Sequence, residues 1–373
     1  MLNNSQFSLV QHSANGAITQ LNWTTDLTAA ISALSYFTAA ALTQTDSAYT
    51  NSGFTNSDFT NSDWLDISYP GSALAAWTPT AVTEATSKPT THHWQAGALW
   101  QHRLLPALQL KPCALIWYQG EQDAMAKTVD AEGYQQQLQQ WLNAVRQHYD
   151  GPIIAVQLAG FGAYPTASAK ADSAHNVRAG FAAIRQAQLL VFAPPRLADQ
   201  ITPDSGKPIT QLVSAADLGH ATDIHLGNKQ QLGQRLAAAL HQKAPLTTAT
   251  LDWDLWQLVL PNGDWQAGRL TAAGTLMLST QQNEAIPLLG WLQDGTMLAL
   301  SAEIVGGTKI IAAESPTLRW QIGMPPGIHA SQITAIAYGW ANQADLSWYL
   351  PSKDAAGQTL YWPLLPQRWQ RGC

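Results

Sequence analysis

The chain has 373 residues, 46% of them apolar and only 12% charged, with 16 tryptophans and two cysteines. Low hydrophobicity with high net charge is the mark of disorder, and this composition excludes it for most of the chain; the length exceeds what one hydrophobic core serves, so two domains are expected. The net charge of -6 comes with no run of Lys or Arg, which argues against nucleic acid as a partner.

No stretch of 18 or more apolar residues occurs, so no membrane span is expected. The start, Met1-Leu-Asn-Asn-Ser-Gln, lacks the charged and apolar regions of a signal peptide, which leaves a cytoplasmic protein or a lost true start. Cys113 opens an apolar run and Cys373 is the last residue, so they read as a buried small hydrophobe and a frayed end rather than a disulfide.

In chain order, Leu27, Ile31, Leu34 and Leu42 fall at helical spacing behind Asp26 as a cap. Three copies of one pentapeptide follow over 49–63, ended by Trp64. Thr-Asn-Ser triplets favour turns, so this is read as a low-complexity surface insertion, with an aromatic sugar-contacting loop as the alternative. Cys113 to Tyr118 reads as a strand buried on both faces. Residues 132–148 carry Tyr134, Leu138, Trp141, Leu142 and Val145 on one helical face. Pro152–Leu158, Leu189–Ala193 and Ile209–Ser214 read as strands, 178–188 as a helix, and Leu232, Leu236, Ala237 and Leu240 mark a last helix. Alternating strands and helices predict an α/β fold with a parallel sheet covered on both faces.

Past residue 250 the helical period stops. Gly263-Asp264, Asp294-Gly295 and Gly306-Gly307 each sit between apolar stretches, the pattern of hairpins. Nine tryptophans fall after Thr250 and none between Leu142 and Asp252, which puts a boundary near 243–250. The expected domains are therefore 1–245, α/β, and 246–373, a small antiparallel β-domain. Most of the tryptophans are expected in cores.

Ligands of an open parallel sheet collect at the carboxyl ends of its strands. Gln119-Gly120-Glu121-Gln122-Asp123 follows the first such strand and reads either as a cleft-lining cluster or as a turn capping the next helix. His220-Ala-Thr-Asp223-Ile-His225 precedes the last helix. An imidazole there could act as general base with a carboxylate fixing its tautomer, could join a metal site, or could be a surface histidine beside a capping aspartate. Ser68-Tyr-Pro-Gly71-Ser72 is a turn whose glycine could offer a backbone N–H to an oxyanion.

Together and in this order, these blocks resemble the sialate O-acetylesterase family of SGNH-type serine carbohydrate esterases. Trp117-Tyr-Gln-Gly-Glu121 is the most specific match; Asp223-Ile-His225 with Lys229 and Gly233-x-Arg235-Leu-Ala is similar to the family's Asp-Ile-His-Pro block and its helix, with Leu226 where the family has Pro. Ser68–Ser72 with Ala76-Trp-Thr78 resembles the Ser-Trp-Gly-Gly-Thr segment before Ala-Trp-Thr; Ala33–Phe37, Ile184–Gln188, Ala337–Ala341 and Leu364–Pro366 also find counterparts. The resemblance implies an SGNH or flavodoxin-like α/β/α sandwich and a β-domain, no cofactor or metal, an acetylated sugar as substrate and a periplasmic or secreted location. It implies His225 as general base, Asp223 as its acid partner with Asp217 as the alternative, Gly71 as oxyanion donor, and Gln119 and Glu121 in the same pocket. The family's nucleophile motif, Gly-Gln-Ser-Asn-Met, does not occur, and Gln11-His-Ser13 and Asp66-Ile-Ser68 are superficial echoes. The expectation is a family member without its first strand and catalytic serine, impaired if the chain starts at Met1; a non-catalytic carbohydrate-binding protein is the alternative.

Overall fold

A computed structural model describes residues 7–12, 18–24, 65–79, 95–126, 130–162, 180–193, 210–226, 228–241, 244–245, 247–261, 263–271, 275–279, 285–304, 319–341, 346–354 and 357–371. The expected helix at 27–42, the repeat at 49–63, Ser13 and the Gly306-Gly307 turn lie outside these residues.

Strands β1 (Phe7–His12) and β2 (Ile18–Thr24) form an antiparallel pair. A 3-10 turn, Leu74–Trp77, and a π-helical turn, Trp100–Leu104, running into α1 (Leu105–Gln109), then lead to the parallel sheet. That sheet has the order β3 (Leu115–Trp117), β4 (Ile153–Gln157), β5 (Thr210–Ser214). Between β3 and β4 come α2 (Glu121–Ala124) and α3 (Ala131–Arg146), between β4 and β5 comes α4 (Gly180–Phe192), and α5 (Lys229–Leu240) follows β5.

Strand β4 is buried at all five positions because both faces are covered. Ile153 and Ala155 join the core of α3 and α4, with Leu138, Trp141 and Ile184; Ile154 and Val156 join the core of α5, with Leu232 and Leu236. Four apolar residues fit such a position, and the fifth, Gln157, is buried with its amide spent on the Arg185 and Pro366 carbonyls and the Ser214 hydroxyl. The five apolar residues expected on one face of α3 are all buried, and Asp130 caps the helix by accepting the Gly133 N–H at 2.8 Å.

Two expectations are corrected here. Leu189–Ala193 is no strand: α4 continues to Phe192, and Val191 and Phe192 pack on Trp141 and its neighbours. A short apolar run carries no period long enough to separate strand from helix. Cys113 is exposed, because the strand begins only at Leu115 and the cysteine lies in the turn before it.

The C-terminal region holds a seven-stranded antiparallel sheet and a four-stranded one. Its strands are β6 (Thr250–Asp252), β7 (Gln257–Val259), β8 (Gln266–Leu270), β9 (Leu276–Leu278), β10 (Ile286–Leu292), β11 (Met297–Ile304), β12 (Arg319–Gly323), β13 (Ile333–Tyr338), β14 (Trp348–Lys353), β15 (Thr359–Pro363) and β16 (Gln367–Gln370). The sheets, ordered β16-β13-β10-β11-β12-β7-β6 and β15-β14-β8-β9, share a core built on Trp265, Trp320 and Trp348. Asp294-Gly295 does turn a hairpin between β10 and β11. Gly263-Asp264 does not: β7 pairs with β6 and β12 while β8 pairs with β9 and β14, so this turn carries the chain from one sheet to the other. Gly263 has φ 154, and a Cβ there would lie 2.3 Å from Leu350.

The β-region is bound closely to the α/β part. Leu360 and Trp362 of β15 complete the core under α5. Buried Arg185 of α4 donates to the Ala341 carbonyl, and Arg235 of α5 donates to the Tyr361 carbonyl at 2.7 and 3.1 Å. Among the described residues no helix is long and apolar enough to cross a membrane.

Candidate active site

The carboxyl ends of β3 and β5 carry polar loops to the same edge of the sheet, where the chain leaving β4 is Leu158-Ala-Gly-Phe-Gly162. Strands β4 and β5 are extended there by a bridge between Phe161 and His220, with the His220 N–H on the Gly160 carbonyl at 3.2 Å. Gly219 allows this approach, since a Cβ at 219 would sit 1.9 Å from the Gly160 oxygen.

Beyond β5 the chain alternates. Ile224 packs into the core shared with α3 and α4, Leu226 into the core under α5, and Asp223 and His225 are left outward. This explains the residue that departs from the family pattern: Leu226 is 4% exposed and anchors the loop from below, while its carbonyl accepts Lys229 Nζ at 2.7 Å. Outside, His225 Nδ1 lies 2.9 Å from Asp223 Oδ1, and the same oxygen accepts the His225 backbone N–H at 2.9 Å. These two bonds, backbone first, hold the Asp223 carboxyl below its ordinary range. A carboxylate on Nδ1 sets the tautomer that leaves Nε2 free to take a proton. The histidine side chain is 80% exposed, so a substrate can reach it.

Asp217, the alternative acid, is turned elsewhere. Its two oxygens accept Arg235 Nη1 and Nη2 at 2.7 Å each, in a pair with side chains 2% and 0% exposed. Arg235 also donates to the Ser214 carbonyl at 2.8 Å. His220 does not join His225 either: its Nδ1 accepts the N–H groups of Asp223 and Thr222 at 3.1 and 3.2 Å and so shapes the turn. Among the described residues no group of three His, Cys, Asp or Glu could hold a metal ion.

The loop after β3 is set by Gly120, whose φ of 132 suits glycine alone. A Cβ there would meet Ile184 at 2.8 Å. Gln119 is 5% exposed, with its amide spent inside the protein on Asp123, the Ser72 carbonyl and the Tyr134 hydroxyl. Glu121 starts α2. Burial raises its carboxyl above the ordinary value, opposed by its own backbone, by the Tyr118 hydroxyl and, more weakly, by the nearby His225.

Facing this loop is the turn Tyr69-Pro-Gly-Ser72. Gly71 has φ 66, is exposed, and makes no hydrogen bond from its N–H to a described residue. Ser72 Oγ donates to the Tyr69 carbonyl and accepts Trp77 Nε1, both at 2.8 Å. Arg103 holds the approach to the turn, donating to the Ser68 carbonyl at 3.1 Å and lying over the Tyr69 ring. Beneath, Trp77, Trp117, Trp141 and Phe192 form a continuous aromatic contact, the middle pair stacked at 4.1 Å. Of three further residues here, Arg103 was not singled out by sequence, Tyr134 was read only as part of a helical face and Asp123 only as the end of the polar cluster after β3.

The described residues thus combine a parallel sheet covered by helices on both faces, polar loops at the carboxyl ends of β3 and β5, and a β-region packed behind. Residues 71–242 match the family described as carbohydrate esterase, sialic acid-specific acetylesterase, so the resemblance carried by the sequence blocks is borne out over this stretch. Among solved structures, the chain is similar to a carbohydrate acetylesterase from Xanthomonas citri, with 20% identity and a TM-score of 0.58 over 99% of this chain and 74% of that one. No curated protein matches. Family match and fold together support a carbohydrate acetylesterase.

Proposed function

We propose that the protein hydrolyses O-acetyl esters of sialic acid or a related acetylated sugar, with His225 as general base, Asp223 as its acid partner and Gly71 as an oxyanion donor. The Asp223–His225 pair at 2.9 Å carries the reading, because it turns an exposed imidazole into a base with a fixed tautomer. In the reaction a serine Oγ attacks the ester carbonyl carbon and His225 Nε2 takes its proton. The tetrahedral oxyanion rests on backbone N–H groups, Gly71 among them, then collapses as the C–O bond to the sugar breaks and the imidazolium protonates the leaving oxygen. Water, deprotonated by the same histidine, then releases acetate. Gln119 and Glu121 shape the pocket, Gln119 from inside the protein.

Among the described residues no serine hydroxyl is hydrogen-bonded to His225.

The test is acetate release from O-acetylated sialic acid and from an aryl acetate. Release that His225→Ala abolishes is the expected result. Turnover surviving that substitution, or sugar binding without any acetate release, would overturn the reading.

A further inference from the structure

The turn that carries Gly71 and the loop that follows β3 are separate pieces of chain, and few polar atoms join them. Asp123 Oδ2 accepts the backbone N–H of Leu74 at 3.0 Å and Gln119 Nε2 at 2.5 Å. The same Nε2 is 3.3 Å from the Ser72 carbonyl, and Gln119 Oε1 accepts the Tyr134 hydroxyl at 3.0 Å. From α4, Gln188 Nε2 donates to the Gln119 carbonyl at 2.9 Å.

A carboxylate only accepts, so it dictates which end of the Gln119 amide faces it. The nitrogen must point at Asp123 and Ser72, and the oxygen at Tyr134. Leu74 N–H, at the start of the 3-10 turn, has no partner of its own in that turn, and Asp123 supplies one across the interface. Both bonds reach the chain within three residues of Gly71, on its C-terminal side.

We propose that Asp123 is a positioning residue for the oxyanion turn: by holding Leu74 and Gln119 it fixes where the Gly71 N–H stands. This rests on the reading of Gly71 as an oxyanion donor. A donor held in place before the reaction costs no reorganisation when charge develops, so a loosened turn acts on kcat more than on KM. The titratable groups facing Asp123 are Glu121 on its own helix and the Tyr134 hydroxyl from α3. The turn side offers only the uncharged Leu74 and Ser72.

The experiment uses the full chain with Asp123→Ala and Asp123→Asn. Asparagine keeps an oxygen for both donors and is the conservative rescue; alanine removes it. In amide NMR of the wild type, Leu74 and Gly71 should shift together with a midpoint of about 6, the value burial gives Asp123. Asp123→Asn should flatten both titrations. With an aryl acetate, Asp123→Ala should lower kcat about tenfold, a fraction of the hundredfold or more known for deleting an oxyanion donor, with KM within about twofold. Asp123→Asn should recover kcat to within about threefold of wild type.

A Gly71 amide indifferent to Asp123 titration, or a kcat unchanged in a folded Asp123→Ala, would overturn the role. The NMR arm needs neither turnover nor a folded alanine variant. Turnover that survives His225→Ala would remove the underlying reading instead, and with it the catalytic meaning of the turn.

Discussion

Asp223 Oδ1 accepts two hydrogen bonds from His225, one from the backbone and one from the ring, both 2.9 Å long. The first bond closes the turn and the second orients the imidazole, so one carboxylate oxygen builds the loop and prepares the base. Replacing Asp223 by asparagine keeps an acceptor for both but removes the charge that would steady an imidazolium. Acetate release should fall about a hundredfold or more with little change in thermal stability, as kinetics and a melting curve on one sample would show. The charge is maintained at acid pH, since both bonds hold the Asp223 carboxyl below its ordinary value.

Asp123 should make stability depend on pH in the opposite sense. Burial raises its carboxyl from 3.8 to about 6, so between those values the folded protein holds a proton that the unfolded chain has released. Stability from this group is full below pH 4 and is lost as pH rises through about 6; the shift corresponds to about 3 kcal/mol. Denaturant titrations of wild type and Asp123→Asn at pH 4 and 7 check this. The wild type should lose more stability between the two pH values than the variant does.

Arg235 and Asp217 form a fully buried pair that also ties α5 to the Tyr361 and Ser214 carbonyls. Arg235→Leu leaves an aspartate buried without its partner and should cost about 3–5 kcal/mol. Adding Asp217→Leu should restore part of that loss, a coupling that a double-mutant cycle in urea would measure.

Gly120 is the position where a single methyl should do most damage in the site. Its φ of 132 is strained for alanine, and the added carbon would lie 2.8 Å from Ile184 and 3.1 Å from the Tyr134 hydroxyl. Gly120→Ala should cost on the order of 1–3 kcal/mol from backbone strain alone. Gly71→Ala is the contrast: φ is also positive, yet the nearest atom is Gln122 Oε1 at 4.0 Å, so a smaller drop in melting temperature is expected.

Much of this was legible beforehand, and the reasons are physical. The face of α3 was readable because sixteen residues span more than four turns, and β4 because Ile153–Val156 is a short apolar run between Pro152 and a buried Gln157. Asp223 and His225 were picked out by the resemblance of their block, and the fold brings their side chains to 2.9 Å, the contact on which the proposed acid–base role rests. The end of α4 was not readable, since Leu189–Phe192 is apolar whether it faces a sheet neighbour or a helix neighbour. Asp217 stood as the alternative to Asp223 in sequence, and its pairing with Arg235, 18 residues away, turns it elsewhere. Asp123 was equally hidden, because its partner Leu74 lies 49 residues upstream and contributes a backbone atom that carries no side-chain signature.

Trp362 and Leu360 complete the core beneath α5, although both lie more than a hundred residues beyond the stretch that matches the esterase family. The stretch that matches the family therefore ends well before the chain that completes its core. A fragment ending at residue 245 would expose the underside of α5 and leave Arg235 without the Tyr361 carbonyl. The β-region is in this sense part of the catalytic scaffold's foundation: whatever it binds, its removal would be felt first at the loop carrying His225.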